Sequence, residues 1–337
     1  MKPRPPAIRK TPTLKDVARE AGVSIAAVSY SLNGGGTIGE EVRARVREVS
    51  DRLGYRPNRS AQSVRTGRNT TLGLVLPDLR NPYYPALAQS VEHAARQAGY
   101  TVVLIDTSGS MENEIDGMRH LEDQGVAGAI WCRTSSQDTS EEEDERFAMP
   151  VVVIGAPGLT YDNVTINDRE GGQQLARHLL AMGHKRFGIL SGKSVAEGKD
   201  ERKNGFLAEL GGTGEVAWQH KSPFSIDLDQ DVLDVLERRD VTALMCGNDM
   251  IAIGALRAAR QLGIAVPEEL SVVGFDDIPW ASIVTPALTT VNQPVAEMAA
   301  AALTLLLDRL AEPHRPIRHY KVGVRLVQRD SVGRPPA

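Results

Sequence analysis

The stretch from Thr13 to Asn33, TLKDVAREAGVSIAAVSYSLN, limits what this chain can fold into more than any other. Leu14, Val17, Ala18 and Ala21 recur at helical spacing, so they predict one apolar-stapled helix. Gly22 can take the positive φ that ends it, Val23 can plug the angle to a second helix, and Ser24 can cap that helix from Ile25 onward. The pattern is that of a helix-turn-helix. Val28 and Leu32, four apart, then share a core with Val17, which leaves Ile25, Ala26, Ser29 and Tyr30 on an outward face suited to a DNA major groove.

A short helical hairpin rich in Ala, Gly and Val gives a similar string, so the charge distribution matters. The net charge of −4 over 337 residues conceals an asymmetry. Through Arg68 there are 14 Lys and Arg against 6 Asp and Glu, and the remainder holds 25 against 37. A basic head on an acidic body points to a polyanionic partner confined to the head.

Glu40 to Leu53 repeats Val42, Val46, Val49 and Leu53 at helical spacing and is stopped by Gly54. In YRPNRSAQSVRTGR, Pro57 disfavours helix at Arg56, and Asn58 can cap a helix from about Arg59 to Arg65. That helix is too short to be stable alone, so its order is expected to depend on DNA, a second subunit, or both.

Beyond this, apolar runs at LGLVLP, TVVLID, GAIWC and VVVIG alternate with helical segments, notably Pro85 to Ala98 and Glu114 to Gln124. A second series, FGIL, TALMC and SVVGF, is separated by helices around Glu201 to Leu210, Gln230 to Arg238 and Met250 to Leu262. Such βα repetition predicts parallel sheets covered on both faces, in two halves with a cleft at the carboxyl ends of their strands. Asp78, Asn248, Asp249, Asp276 and Asp277 all follow such strands and can recognise hydroxyls. Asp249 and Asp277 are equally explained as caps or turn residues.

Several ordered strings together resemble the LacI/GalR family of bacterial transcriptional regulators. They are DVAREAGVSIAAVSYSLN, LGYRPNRSAQSVRTGR, NPYY, HLLAMGHKRFGIL, GNDMIAIGAL, ELSVVGFDDIP and TPALTTVNQP. The resemblance implies a small all-α helix-turn-helix head plus hinge helix, then a two-lobed α/β core of periplasmic-binding-protein type with parallel sheets. The expected divisions are a basic arm (1–12), the DNA-binding domain (13–57), the hinge and linker (58–69), and the effector-binding and dimerisation domain (70–337).

It also implies partners: double-stranded operator DNA, a small-molecule effector of sugar type, and a second copy of the chain. The DNA-contacting set is Thr13, Ser24, Ile25, Ala26, Ser29, Tyr30, Asn33, Tyr55, Asn58, Arg59, Ala61, Gln62, Val64 and Arg65. In the cleft, Arg202 matches the family's effector-gripping arginine, Asp276 its partner carboxylate and Asn248 the amide between them. Asp78 completes the polar set, and Tyr83, Tyr84 and Phe224 match aromatic positions against which a sugar ring packs. One of the two tyrosines is equally explained as core.

The chain departs from the family where specificity is set. Ile25 and Ala26 cannot make bidentate hydrogen bonds but can read thymine methyl groups, and Tyr30 can donate to a base edge or phosphate, whereas Ser24 and Ser29 suit phosphates. The family's hinge commonly has a leucine wedge where this chain has Val64. One methylene is worth about 0.8 kcal/mol, so Val64→Leu is expected to tighten operator binding by no more than about tenfold.

Other classes fit poorly. There is no Gly-rich phosphate loop, metal-ligand cluster or nucleophile elbow, so neither an enzyme nor a cofactor is expected, and His184 reads as part of a helix-to-strand connection. Cys132 and Cys246 read as buried reduced thiols. Residues 1–10 are basic and proline-rich with no signal-peptide run, and no later segment approaches a membrane span, so a cytoplasmic location is expected. The acidic run Glu141 to Glu145 reads as a solvated face. The C-terminus lacks a leucine heptad, which favours a dimer over a tetramer. A sugar phosphate, nucleoside or base remains an alternative effector, with Lys193 and Lys199 able to attract phosphate, as does corepressor or activator behaviour.

Overall fold

The structure, a computed structural model, describes residues 12–33, 38–56, 69–133, 146–155, 160–193 and 200–336. Asn58, Arg59, Ala61, Gln62, Val64 and Arg65, the acidic run at 141–145, Lys199 and the side chain of Asn33 lie outside the described residues. Contacts divide the chain into two units, Met1–Asn69 and Thr70–Ala337.

In the first unit α1 (Leu14–Ala21), α2 (Ile25–Asn33) and α3 (Glu40–Leu53) surround a core of Val17, Val28, Val46, Val49 and Tyr55. The expected stops at Gly22 and Gly54 and the expected cap at Ser24 are present. Thr13 caps α1 in a reciprocal box with Asp16, Gly22 ends it at φ 64°, and Ser24 Oγ accepts from the Ala27 N–H at 3.1 Å. Caps of this kind contribute about 1 kcal/mol each, a sizeable share for so small a core. Gly54 ends α3 at φ 68°.

The second unit has two lobes. Six parallel strands form the first sheet in the order β11-β5-β4-β3-β1-β2: β1 (Thr71–Leu76), β2 (Thr101–Asp106), β3 (Gly128–Cys132), β4 (Val151–Ile154), β5 (Asp162–Ile166) and β11 (His319–Val322). Four more, also parallel, form the second in the order β7-β6-β8-β9: β6 (Arg186–Gly192), β7 (Glu215–Ser222), β8 (Ala243–Cys246) and β9 (Ser271–Val273). A short antiparallel pair, β10 (Thr290–Asn292) and β12 (Arg325–Val327), completes the set. Helices α4 (Tyr83–Gln97), α5 (Met111–Asp123) and α10 (Val295–Ala311) belong to the first lobe. The second has α6 (Asp168–Met182), α7 (Glu201–Leu210), α8 (Gln230–Glu237) and α9 (Asp249–Gln261).

The chain passes between lobes three times. It leaves the first sheet through α6, returns through α10 to add β11, and finally runs back so that the Val272 N–H donates to the Ser331 carbonyl at 2.9 Å. These last two passes are absent from the sequence expectation. Helix α10, VAEMAAAALTLLLDRLA, is apolar nearly all round and so shows little helical period, because it is buried against β3, β4, β5 and α4. Strands β7 and β11 are sheet edges, β7 mostly half-buried or buried and β11 mostly exposed, and their interspersed polar residues give no long apolar run.

Boundary differences have local causes. Helix α4 begins at Tyr83 rather than Pro85, because a proline in the first turn lacks only an N–H that has no intrahelical acceptor there. Helix α5 begins at Met111, since Ser110 Oγ caps it through the Asn113 N–H at 3.4 Å. Cys132 and Cys246 are buried free thiols, and among the described residues no helix is long and apolar enough to cross a membrane.

Candidate functional site

In the head, α2 presents Ile25 at 47% exposure and Tyr30 at 49%, with Ala26 also exposed. Two large apolar groups left in water on one helical face are unexplained by the head's own core. Ser24 and Thr13 are exposed at the starts of α2 and α1, where their hydroxyls already cap those helices. Two expectations fail here. Ser29 is buried at 3% exposure although helical spacing sets it between Ile25 and Ala26, so its hydroxyl is not open to a DNA phosphate. Tyr55 is buried at 8% and packs in the helical core, where its ring joins Val46 and Val49 instead of facing a DNA backbone.

The cleft in the second unit is built where α6 and α7 cross. Gly172 and Gly205 let the backbones touch: a β-carbon on Gly172 would lie 2.0 Å from the Arg202 carbonyl oxygen, and one on Gly205 would lie 2.0 Å from that of Arg169. This contact brings the first residues of both helices together. Arg202 Nε donates to Asp168 Oδ1 at 2.7 Å, and its Nη1 donates to the Gly247 carbonyl at 2.8 Å and to Asp276 Oδ1 at 3.3 Å. The guanidinium also lies 3.9 Å from the centre of the Phe275 ring. A planar fork held on its edges and one face has little freedom left. Its Nη2 has no protein partner among the described residues.

Asp276 is equally fixed. Gln293 Nε2 donates to the same Oδ1 at 2.5 Å, and the Asp276 N–H donates to the Val291 carbonyl at 2.8 Å. Its Oδ2 makes no hydrogen bond to the protein among the described residues. Asp276 and Asp277 both have positive φ, 120° and 58°. Such strain costs on the order of 1–3 kcal/mol per residue and persists only where surroundings impose it. Asp249, wholly buried, supplies part of that support by accepting from the Ile278 N–H at 2.9 Å and the Thr290 hydroxyl at 2.5 Å. Asp277 is gripped by Arg329 at 2.6 Å and Asn292 at 3.0 Å. Both aspartates thus act on the turn, as the cap-or-turn reading expects.

Burial dominates the electrostatics. It opposes the charge on Arg202, but Asp168 and Asp276 outweigh it and hold the guanidinium above its ordinary pKa. Burial pushes Asp276 up to about 6, with Arg202 and the Gln293 amide pulling the other way. It also raises Asp249, reinforced by the neighbouring Asp276 charge.

Other expected residues separate. Asn248 is buried at 2% and caps α9, its Oδ1 accepting from the Ile251 N–H at 3.0 Å. That cap takes one of the two lone pairs of Oδ1, so the second lone pair and the Nδ2 donor remain. Tyr83 is 9% exposed, in the core, with its hydroxyl 3.8 Å from Met298 sulfur, so its face is not offered to a ligand. Tyr84 is half-buried and meets it edge-on at 5.1 Å. Phe224 lies over Gly192, where a β-carbon would come within 2.0 Å of the ring. Asp78 is engaged by Arg80 at 2.9 Å in its own turn and has no bond to the Arg202 cluster. Lys193 pairs with Asp229 at 2.5 Å. His184 bridges Thr242 and the Gly333 carbonyl, a structural tether between helix, strand and C-terminal segment.

Asp168, Phe275 and Gln293 are site residues the sequence reading missed. Asp168 carried one usable signal, the adjacent Gly171-Gly172 pair in NDREGG, which marks a close backbone approach.

Comparison with known proteins matches two family models: bacterial regulatory proteins of the lacI family over residues 13–58, and a periplasmic-binding-protein-like domain over 176–332. The HTH-type transcriptional regulator MalR of Streptomyces coelicolor is 36% identical, covering 97% of this chain and 98% of that protein. The lac repressor dimer bound to operator and the anti-inducer ONPF superposes with a TM-score of 0.85 at 25% identity, over 96% of this chain and 100% of the other. The transcriptional regulator CelR in complex with cellobiose gives 0.68 at 28% identity, over 95% and 99%.

Proposed function

This chain belongs to the lacI family of bacterial regulatory proteins and is a DNA-binding transcriptional regulator, not an enzyme; we propose that it is a cytoplasmic repressor whose operator affinity is set by a sugar bound between the lobes of its core. The observation that carries the ligand class is the cluster of Arg202, Asp168, Asp276 and Gln293. It supplies a fixed N–H donor, open carboxylate oxygens and an amide, the partners that adjacent hydroxyls require. The sugar-bound relative supports the same reading.

The mechanism follows from position. A ligand that bridges Arg202 in the second lobe and Tyr84 in the first favours one angle between the lobes. Two heads of a homodimer read two half-sites, so an altered lobe angle changes their spacing. By linkage, DNA and ligand then alter each other's affinity by the same factor. The edge strand β2, with Leu104 exposed at 39%, and the segment with Trp280 at 39% and Ile283 at 74% offer apolar surface for the second copy. Ile25, Ala26 and Tyr30 read base edges, Ser24 and Thr13 contact phosphates, and the hinge residues 58–65 enter the minor groove.

Thermal unfolding against monosaccharides, disaccharides, sugar phosphates and nucleosides tests the ligand class. A ligand at about 100 times its Kd adds about 2.7 kcal/mol to stability. A shift with sugars supports the reading, and a shift confined to phosphates or nucleosides refutes it.

A further inference from the structure

We propose that Asp168 determines the charge class of the effector: by holding Arg202 Nε it leaves the cleft with more acid than base, admitting uncharged polyhydroxy ligands and excluding anionic ones. The inference rests on the assignment of the Arg202 cluster as the ligand site. It does not depend on which uncharged ligand binds.

The geometry is a single guanidinium between two carboxylates. Asp168 Oδ1 lies 2.7 Å from Nε and Asp276 Oδ1 lies 3.3 Å from Nη1. Arg202 has 22% of its side-chain surface exposed and Asp276 only 4%, so water screens this group weakly. Among the described residues, other cations close to the strand ends are already matched. Lys193 is on Asp229, Arg80 on Asp78 and Arg169 on Glu201, while Arg133 stacks over Trp131 at 5.2 Å.

A phosphate or carboxylate approaching Arg202 Nη2 therefore meets one positive and two negative charges. A hydroxyl meets a directed N–H and open carboxylate oxygens, with no charge to repel. Asp168 acts through Arg202 in a second way: with Nε and Nη1 engaged, the guanidinium plane is fixed and one nitrogen is presented. It is thus a positioning residue whose charge also sets selectivity.

The test uses inorganic phosphate as probe, at constant ionic strength, on the full chain. Thermal unfolding of the core is followed in wild type, Asp168→Asn, Asp168→Glu and the double variant Asp168→Asn/Arg202→Gln. Asp168→Ser serves in place of Asp168→Asn if that variant does not fold. Removing one charge this close is worth on the order of tenfold or more in anion affinity. Wild type is expected to show no phosphate stabilisation that depends on Arg202. Asp168→Asn should bind phosphate at least about tenfold more tightly, the gain should vanish in the double variant, and Asp168→Glu should behave as wild type. Equal phosphate responses in wild type and Asp168→Asn overturn the proposal, as does wild-type phosphate binding through Arg202. A sugar panel without a hit would undo the sugar reading while leaving the phosphate result standing.

Discussion

Gly172 in α6 lies so close to Arg202 in α7 that a β-carbon on it would stand 2.0 Å from the Arg202 carbonyl oxygen. The atom in the way is backbone, which cannot rotate aside. Alanine at a helix interior usually gains about 1 kcal/mol over glycine, but forced overpacking costs about 1–3 kcal/mol or more. The clash should win. Gly172→Ala is expected to destabilise the core by about 2 kcal/mol in urea unfolding and to weaken effector binding by displacing Arg202. An unchanged or raised midpoint would show that the helices do not meet as described.

Arg202→Ala and Asp276→Ala should each remove the effector response while leaving operator affinity within about threefold of wild type, since both lie in the core unit. Operator binding is measured by bandshift with and without effector. A variant that still responds at wild-type effector concentration contradicts the cleft assignment.

Asp276 gives the core a pH dependence of defined sign. Its carboxyl is raised from 3.8 to about 6 in the fold, so the folded state holds a proton that the unfolded chain has released. The stabilisation is fully present below the unfolded value and is lost as pH rises through about 6. Wild type should therefore lose more stability between about pH 4 and pH 7 than Asp276→Asn, by on the order of 2 kcal/mol. Asp249 is raised in the same direction and leaves a residual slope in the variant. Parallel stability profiles for the two proteins would contradict the account.

In the head, Tyr30→Ala and Ile25→Ala should weaken operator binding by about 1–3 kcal/mol each while changing head stability by less than about 0.5 kcal/mol, because both side chains are exposed. Ser29→Ala should change operator affinity less than either. The comparison is a fluorescence anisotropy titration beside a melt of each variant, and a larger affinity loss at Ser29 would return that residue to the reading face.

What the sequence made legible is local. Leu14, Val17, Gly22 and Ser24 specify one helix, its stop and the next cap within a dozen residues, and the apolar runs of β1, β3, β4 and β8 declare themselves because both faces are buried. What stayed hidden depends on distant partners. Asp168 and Arg202 are 34 residues apart and meet only because two helices cross at glycines. Helical spacing along α2 points Ser29 outward with Ile25 and Ala26, yet its side chain is buried, which the period of one helix cannot reveal. Asn248 is tied to α9 by one hydrogen bond, its N-cap, which the residue type alone does not reveal.

The most direct test of an effector-controlled regulator is one linked pair of titrations. Operator affinity is measured with and without a sugar identified by thermal shift, and affinity for that sugar is measured with and without operator, in wild type and Arg202→Ala. The account predicts equal coupling factors in the two directions for wild type, typically about 5- to 150-fold, and a factor near one for Arg202→Ala. Operator affinity that ignores a sugar bound to the wild-type protein would contradict it.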